Sequence, residues 1–123
     1  MELNEYQKRA MTTCMPSSEN FSYMFLNLVG EVGEFASKVA KAIRKEQMLI
    51  GGLDHNELFY KVPEEEYDEF DDELKKEAGD ILWQLGGLCE VMGWSLEEVA
   101  QQNLDKLASR KQRNVIDGSG DNR

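Results

Sequence analysis

Apolar residues recur at helical intervals in four stretches of the chain, separated by short polar or glycine- and proline-marked segments. Glu2–Thr13 predicts a short first helix, stopped near Met15-Pro16 because the residue before a proline avoids the helical region. Ser17-Ser18-Glu19-Asn20 offers capping side chains for a second helix, expected from about Phe21 to Glu46. On it Phe21, Phe25, Leu28, Val32, Phe35 and Val39 alternate steps of four and three and make one apolar stripe. Met48–Tyr67, with Gly51-Gly52, Pro63 and Glu64-Glu65-Glu66, reads as a long loop with at most a short turn. A third helix is expected from about Asp71 to Met92, striped by Leu74, Ala78, Ile81, Leu85, Leu88 and Met92 and ended by Gly93. Ser95, with Glu98 three residues on, caps a fourth helix that runs to about Arg110.

No alternating run of β-branched residues is long enough for a strand. The pattern therefore predicts an all-α chain, a four-helix bundle in one domain spanning 1–123. Leu82 and Trp83 lie off the main stripe of the third helix, so that helix needs cover on two sides. A symmetric assembly supplies such cover, and a homodimer or homotetramer is expected.

Charge changes the picture by region. The 123 residues hold 24 acids and 14 bases, a net charge of −10. Residues 1–44 balance, 45–80 carry a net of −9, and 103–123 swing back to +2 through Lys106, Arg110, Lys111, Arg113 and Arg123. So acidic a chain repels phosphate backbones, which argues against direct nucleic-acid binding. No apolar run approaches the roughly 20 residues that cross a bilayer, and the first ten are too polar for a signal peptide. Cys14 and Cys89 are too few for a disulfide scaffold or a cysteine zinc site, and both are expected as reduced thiols in a cytoplasm. With His55 the single histidine, any chemistry falls to carboxylates.

Two acidic pairs stand out, Glu31 with Glu34 and Glu77 with Asp80. Residues three apart on a helix lie roughly 60° apart and share a face. About five such pairs arise by chance in so acidic a chain, so position carries the argument. Glu31 and Glu34 border the apolar stripe, with Asn27, Lys38 and Lys41 along the same edge, while Glu77 falls within the stripe of the third helix and Asp80 beside it. Packing the stripes together brings four carboxylates to one cleft, where a hard cation such as Mg²⁺ relieves their repulsion. Gly30, Gly33 and Gly79 beside them suggest a close approach of backbone to backbone or ligand. The plain alternative is a surface of ordinary helix acids, paired as Glu34–Lys38 and Lys76–Asp80. A di-iron bundle is excluded because its Glu-x-x-His motifs are missing.

The segments Leu28-Val29-Gly30-Glu31-Val32-Gly33-Glu34-Phe35 and Glu77-Ala78-Gly79-Asp80-Ile81-Leu82-Trp83 resemble the signature of MazG-like nucleoside triphosphate pyrophosphohydrolases. These belong to the all-α NTP pyrophosphatase superfamily. The resemblance extends through Asn103-Leu104-Asp105-Lys106-Leu107 and Arg110, and the ending Gly118-Ser119-Gly120-Asp121-Asn122-Arg123 looks like that of phage-type members. It implies a phage-type protein in a host cytoplasm, from whose compact relatives the chain departs by a longer gap between the motifs, with an acidic insertion at about 47–70; a polar tail follows at 111–123. It implies that Glu31, Glu34, Glu77 and Asp80 are catalytic and ligate two or more Mg²⁺ ions, with Mn²⁺ able to substitute. Lys38, Asn103, Lys106 and Arg110 would contact the nucleotide and its phosphates, with Asp121 and Arg123 of the tail.

The expected reaction is hydrolysis of a ribo- or deoxynucleoside triphosphate to the monophosphate and pyrophosphate. Two other functions compete with it: an acidic helical module that binds a protein partner, and a nucleotide sensor that does not hydrolyse. Trp83 and Trp94 read as packing residues and the two cysteines as inert small hydrophobes.

Overall fold

A computed structural model describes residues 1–51 and 57–121. Four helices form the body: α1 Leu3–Met11, α2 Phe21–Arg44, α3 Tyr67–Val91 and α4 Leu96–Gln112. The chain is an all-α fold of the expected four-helix kind, with one addition described below. α1 stops two residues short of expectation because the Thr12 and Thr13 hydroxyls donate to the carbonyls of Arg9 and Ala10, each at 2.6 Å, and turn the chain before Pro16 is reached. α2 starts as the caps predict, with the Asn20 side chain accepting from the Tyr23 N–H at 2.8 Å. It ends before Glu46, whose φ of 58° leaves the helical region. α3 begins four residues earlier than Asp71, entered through a tight turn at Glu64–Glu66 that follows Pro63. Carboxylates in that first turn suit the positive end of the helix. Gly93, at φ 73°, closes α3, and the Ser95 oxygen accepts from the Glu98 N–H to open α4.

The loop expected at Met48–Tyr67 instead contains an antiparallel hairpin, β1 Met48–Gly51 with β2 Glu57–Tyr60. Met48 faces Tyr60, Leu49 faces Phe59 and Ile50 faces Leu58. Each apolar run is only three residues long, too short to show as an alternating strand beside so many acids. The two runs pair because Met48 is buried against Ala42 and Leu74, with Phe35, Val39, Tyr60 and Phe70 around them. His55 lies outside the described residues.

α2 and α3 form the main packed pair, and α1 lies across α3 and the start of α4. The contact is closest at Gly87, where a Cβ would overlap the fully buried Met24 side chain. The close approach expected at Gly30, Gly33 and Gly79 is not made among the described residues: Gly33 and Gly79 have nothing within 4 Å, and Gly30 meets only the Asn27 side chain of its own helix. α1 is tied down by buried Gln7. Its amide donates to Glu90 and to the Trp94 carbonyl, both at 2.9 Å, and its oxygen accepts from the Leu96 N–H at 2.7 Å. Trp83 also packs on α1, donating to the Thr13 hydroxyl at 2.9 Å. Trp94 is half-exposed.

The apolar stripe predicted for α2 is buried only along its second half. Phe35 and Val39 pack toward the hairpin, while Phe21, Phe25 and Val32 stay 46–53% exposed, with Leu26 and Val29 beside them more so. Met24 is the residue of this half that enters the core. The reason is geometric: α3 crosses α2 along the Met24–Asn27–Glu31 line, so the phenylalanines point off to one side.

Candidate metal centre

The acidic site sits where α2 and α3 face each other. Glu31 from α2 and Glu77 and Asp80 from α3 each place one carboxylate oxygen within 4.8 Å of the others. Glu77 is buried, Glu31 half-buried and Asp80 exposed, so the cluster runs from the helix interface out to solvent. Burial, and then the charges of Asp80, Glu77 and Glu34, push the Glu31 carboxyl above its usual range, while the Asn27 amide pulls it back. That direction is what partial burial and crowding of like charges produce in a carboxyl.

Glu34 stands apart from this group. It is exposed on α2, its charge reaching Glu31 without its oxygens joining the cluster. Lys38, one turn further on, does not pair with Glu34 as helix spacing offered. Its ammonium bridges Glu77 at 2.8 Å and Glu73 at 3.0 Å, and these contacts raise its pKa. Lys76 likewise pairs with Glu73 and Asp72, not with Asp80. Glu73 was not singled out from the sequence, although its i, i+4 relation to Glu77 puts both on one face of α3.

A polar ladder supports the site from behind. The Asn27 amide donates to the oxygen of buried Gln84 at 2.9 Å, and Gln84 donates to the Met24 carbonyl at 3.4 Å. Asn27 is therefore held at Glu31 by α3 itself. Tyr6 of α1 closes the far side, and burial together with Asp80 raises its hydroxyl pKa. On the other side, past Lys38, a cleft of about 180 Å³ has Ala42, Met48, Phe70 and Leu74 in its wall and Lys41 and Lys45 at its edge.

The basic candidates on α4 form a second group. Lys106 and Arg110 both donate to one oxygen of Asp121, at 3.0 and 2.9 Å. Arg110 and then Lys106 hold that carboxyl below its usual range. Asn103 is exposed on the same helix. No hydrogen bond or ion pair joins this group to the acidic cluster among the described residues, and Arg123 lies outside them.

Three oxygens of hard carboxylates, crowded at one point and open to solvent on one side, fit a divalent cation of the Mg²⁺ type better than a softer metal. Residues 19–115 match the family profile described as the MazG nucleotide pyrophosphohydrolase domain. The chain belongs to that family. The MazG span encloses Glu31, Glu34, Lys38, Glu77, Asp80, Asn103, Lys106 and Arg110, and stops short of Asp121. The chain is also 37% identical to the Gene 37 protein of Mycobacterium phage L5, over an alignment of 130 positions that covers the whole of both chains. No solved structure matches the chain. Among the described residues no helix is long and apolar enough to cross a membrane.

Proposed function

We propose that this MazG domain hydrolyses nucleoside triphosphates, ribo- or deoxy-, to the monophosphate and pyrophosphate in a Mg²⁺-dependent reaction. The observation that carries the reading is the three-carboxylate cluster, contributed by two helices inside the family's own span. Glu31, Glu77 and Asp80 would hold one Mg²⁺, and Glu34, whose charge reaches Glu31, would help to hold a second. When bound, Mg²⁺ neutralises charge on the phosphates and lowers the pKa of a coordinated water.

The residues do the rest. Glu34, exposed beside the cluster and outside its three oxygens, accepts the proton of the attacking water. The water oxygen bonds to the α phosphorus, the bond from that phosphorus to the α–β bridging oxygen breaks, and pyrophosphate leaves. Lys38 fixes Glu77 and Glu73 in position and presents positive charge at the cleft edge. Lys106 and Arg110 hold the outer phosphates, Asn103 lies near the nucleotide, Asp121 belongs to the tail that borders them, and Arg123, outside the described residues, is a further phosphate contact on the sequence reading alone.

No hydrogen bond or ion pair unites the acidic and basic groups among the described residues, and in an oligomer the basic group of a second chain would be free to complete the site. We take the working protein to be a homodimer or homotetramer, a reading that the exposed apolar face of α2 supports.

The test is incubation with each common NTP and dNTP, with Mg²⁺ and with EDTA, resolving monophosphate and pyrophosphate from diphosphate and orthophosphate. Metal-dependent pyrophosphate release is expected, falling at least a hundredfold in Glu77→Gln, as loss of a group that stabilises developing charge does. Nucleotide binding without product would favour a sensor. Neither binding nor product, in folded protein, would favour a protein-interaction module.

A further inference from the structure

The segment after α4 folds back on the helix it leaves. Asn114 takes a φ of 59°, the Val115 N–H donates to the Arg110 carbonyl at 2.9 Å, and Gly120 turns the chain again at φ 78°. The result is that Arg110, on the last turn of a surface helix, is only 4% exposed. One Asp121 oxygen then bridges Lys106 and Arg110, and Arg110 also donates to the Gly120 carbonyl at 3.3 Å. The guanidinium is not saturated. Its Nε, buried, has no hydrogen-bond partner among the described residues. Arg110 therefore keeps its Nε free while one terminal nitrogen, Nη2, is taken by an exposed carboxylate and the Gly120 carbonyl.

A single anionic oxygen held between a lysine and an arginine is the arrangement a phosphate oxygen takes between the same cations. We propose that Asp121 is an internal stand-in for phosphate: it occupies Lys106 and Arg110 in the ligand-free chain, and a polyphosphate displaces it, releasing the 113–121 segment. This rests on the reading of Lys106 and Arg110 as phosphate-holding residues. The exchange is chemically lopsided. Asp121 offers one negative charge on a side chain that is 80% exposed, and ion pairs so placed are weak. A pyrophosphate group brings more charge and enough oxygens to engage the free Nε as well. The strap thus keeps a buried guanidinium compensated when no nucleotide is present, and makes the basic pair selective for multiply charged phosphates over singly charged anions.

The test uses inorganic pyrophosphate titrated calorimetrically into the full chain, with EDTA present to keep metal from the acidic cluster. Asp121→Asn preserves the shape of the side chain and removes the competing charge. It should bind pyrophosphate roughly two- to fivefold more tightly than the parent, the range that exposed ion pairs give. That gain should shrink when Lys106→Ala is added, because Asp121 then competes for Arg110 alone. Pyrophosphate should also speed hydrogen exchange of the amides at 115–121 in the parent chain. Equal or weaker binding by Asp121→Asn, no binding by either protein, or slowed exchange across the segment would each overturn the strap. Failure of the catalytic reading shows elsewhere, as absence of pyrophosphate from every NTP with Mg²⁺, whatever the titration gives.

Discussion

Glu31 carries the consequences of the site most directly. Its carboxyl is pushed above the usual range by burial and by three acidic neighbours, so its ionisation opposes folding when no metal is bound. Below the ordinary carboxylate pKa it is protonated in folded and unfolded chains alike, and nothing is lost. As pH rises through that value and past the raised one, the unfolded chain releases its proton first and stability falls. Glu31→Gln should therefore raise the melting temperature of the metal-free protein at pH 7, with the gain shrinking toward pH 4. Millimolar Mg²⁺ should stabilise the parent and do much less for the variant, because a ligand stabilises only the state that binds it. Thermal scans with and without EDTA at the two pH values read both effects; a parent that ignores Mg²⁺ would remove the metal centre. The acids themselves were legible in the sequence because helical spacing, border position and the family signature agreed. What the helical wheel could not give was the split within the first pair. Glu31 points along the α3 contact and Glu34, about 60° further round, does not. Lys38 was equally out of reach, since its partners lie on the opposite helix.

The same limit shows in whole elements. Helices α2, α3 and α4 could be read because caps and stripes are local signals, and the Asn20 and Ser95 caps form as their positions predict. The hairpin could not, because its strands depend on Met48 and Tyr60 meeting a core built by α2 and α3. Glycine positions were half legible: the sequence marks where a helix tolerates glycine without saying which one a neighbour approaches. Among the described residues the closest approach is at Gly87, and Gly87→Ala should cost about 1–3 kcal/mol, since the fully buried Met24 side chain must shift to admit the methyl. Gly33→Ala and Gly79→Ala face open space and should instead add up to ~1 kcal/mol of helix stability. Urea unfolding of the three variants orders them. A loss at Gly33 or Gly79 would mean that a second chain or a ligand comes close there, as the sequence had suggested.

At the scale of the molecule, the unsatisfied feature is the first half of α2. Phe21 and Phe25 stack with ring centres 5.6 Å apart and planes 6° from parallel, an apolar ridge continued by Val29 and Val32. Leu82 of α3 and Leu104 and Leu107 of α4 are exposed as well. The ridge covers twelve residues, or about 18 Å of helix, and a stable interface of 1,200–2,000 Å² in total can be centred on it. Val29→Asp places a charge in its middle while touching nothing in the core, so it should leave the helical circular dichroism intact and yield a monomer by light scattering. The parent should be a dimer or tetramer at the same concentration; a monomeric parent at 100 μM would remove the assembly. Net charge predicts how that assembly responds to salt. Two copies of a chain carrying −10 repel, and that repulsion works against a contact whose attraction is apolar. Raising ionic strength from about 0.01 to 0.15 M shortens the screening length from roughly 30 to 8 Å, so association should tighten with salt. An interface held by ion pairs between the acidic α3 and the basic end of α4 would loosen over the same range. Sedimentation equilibrium at the two salt concentrations therefore separates an apolar α2 interface from an electrostatic one by the sign of the change.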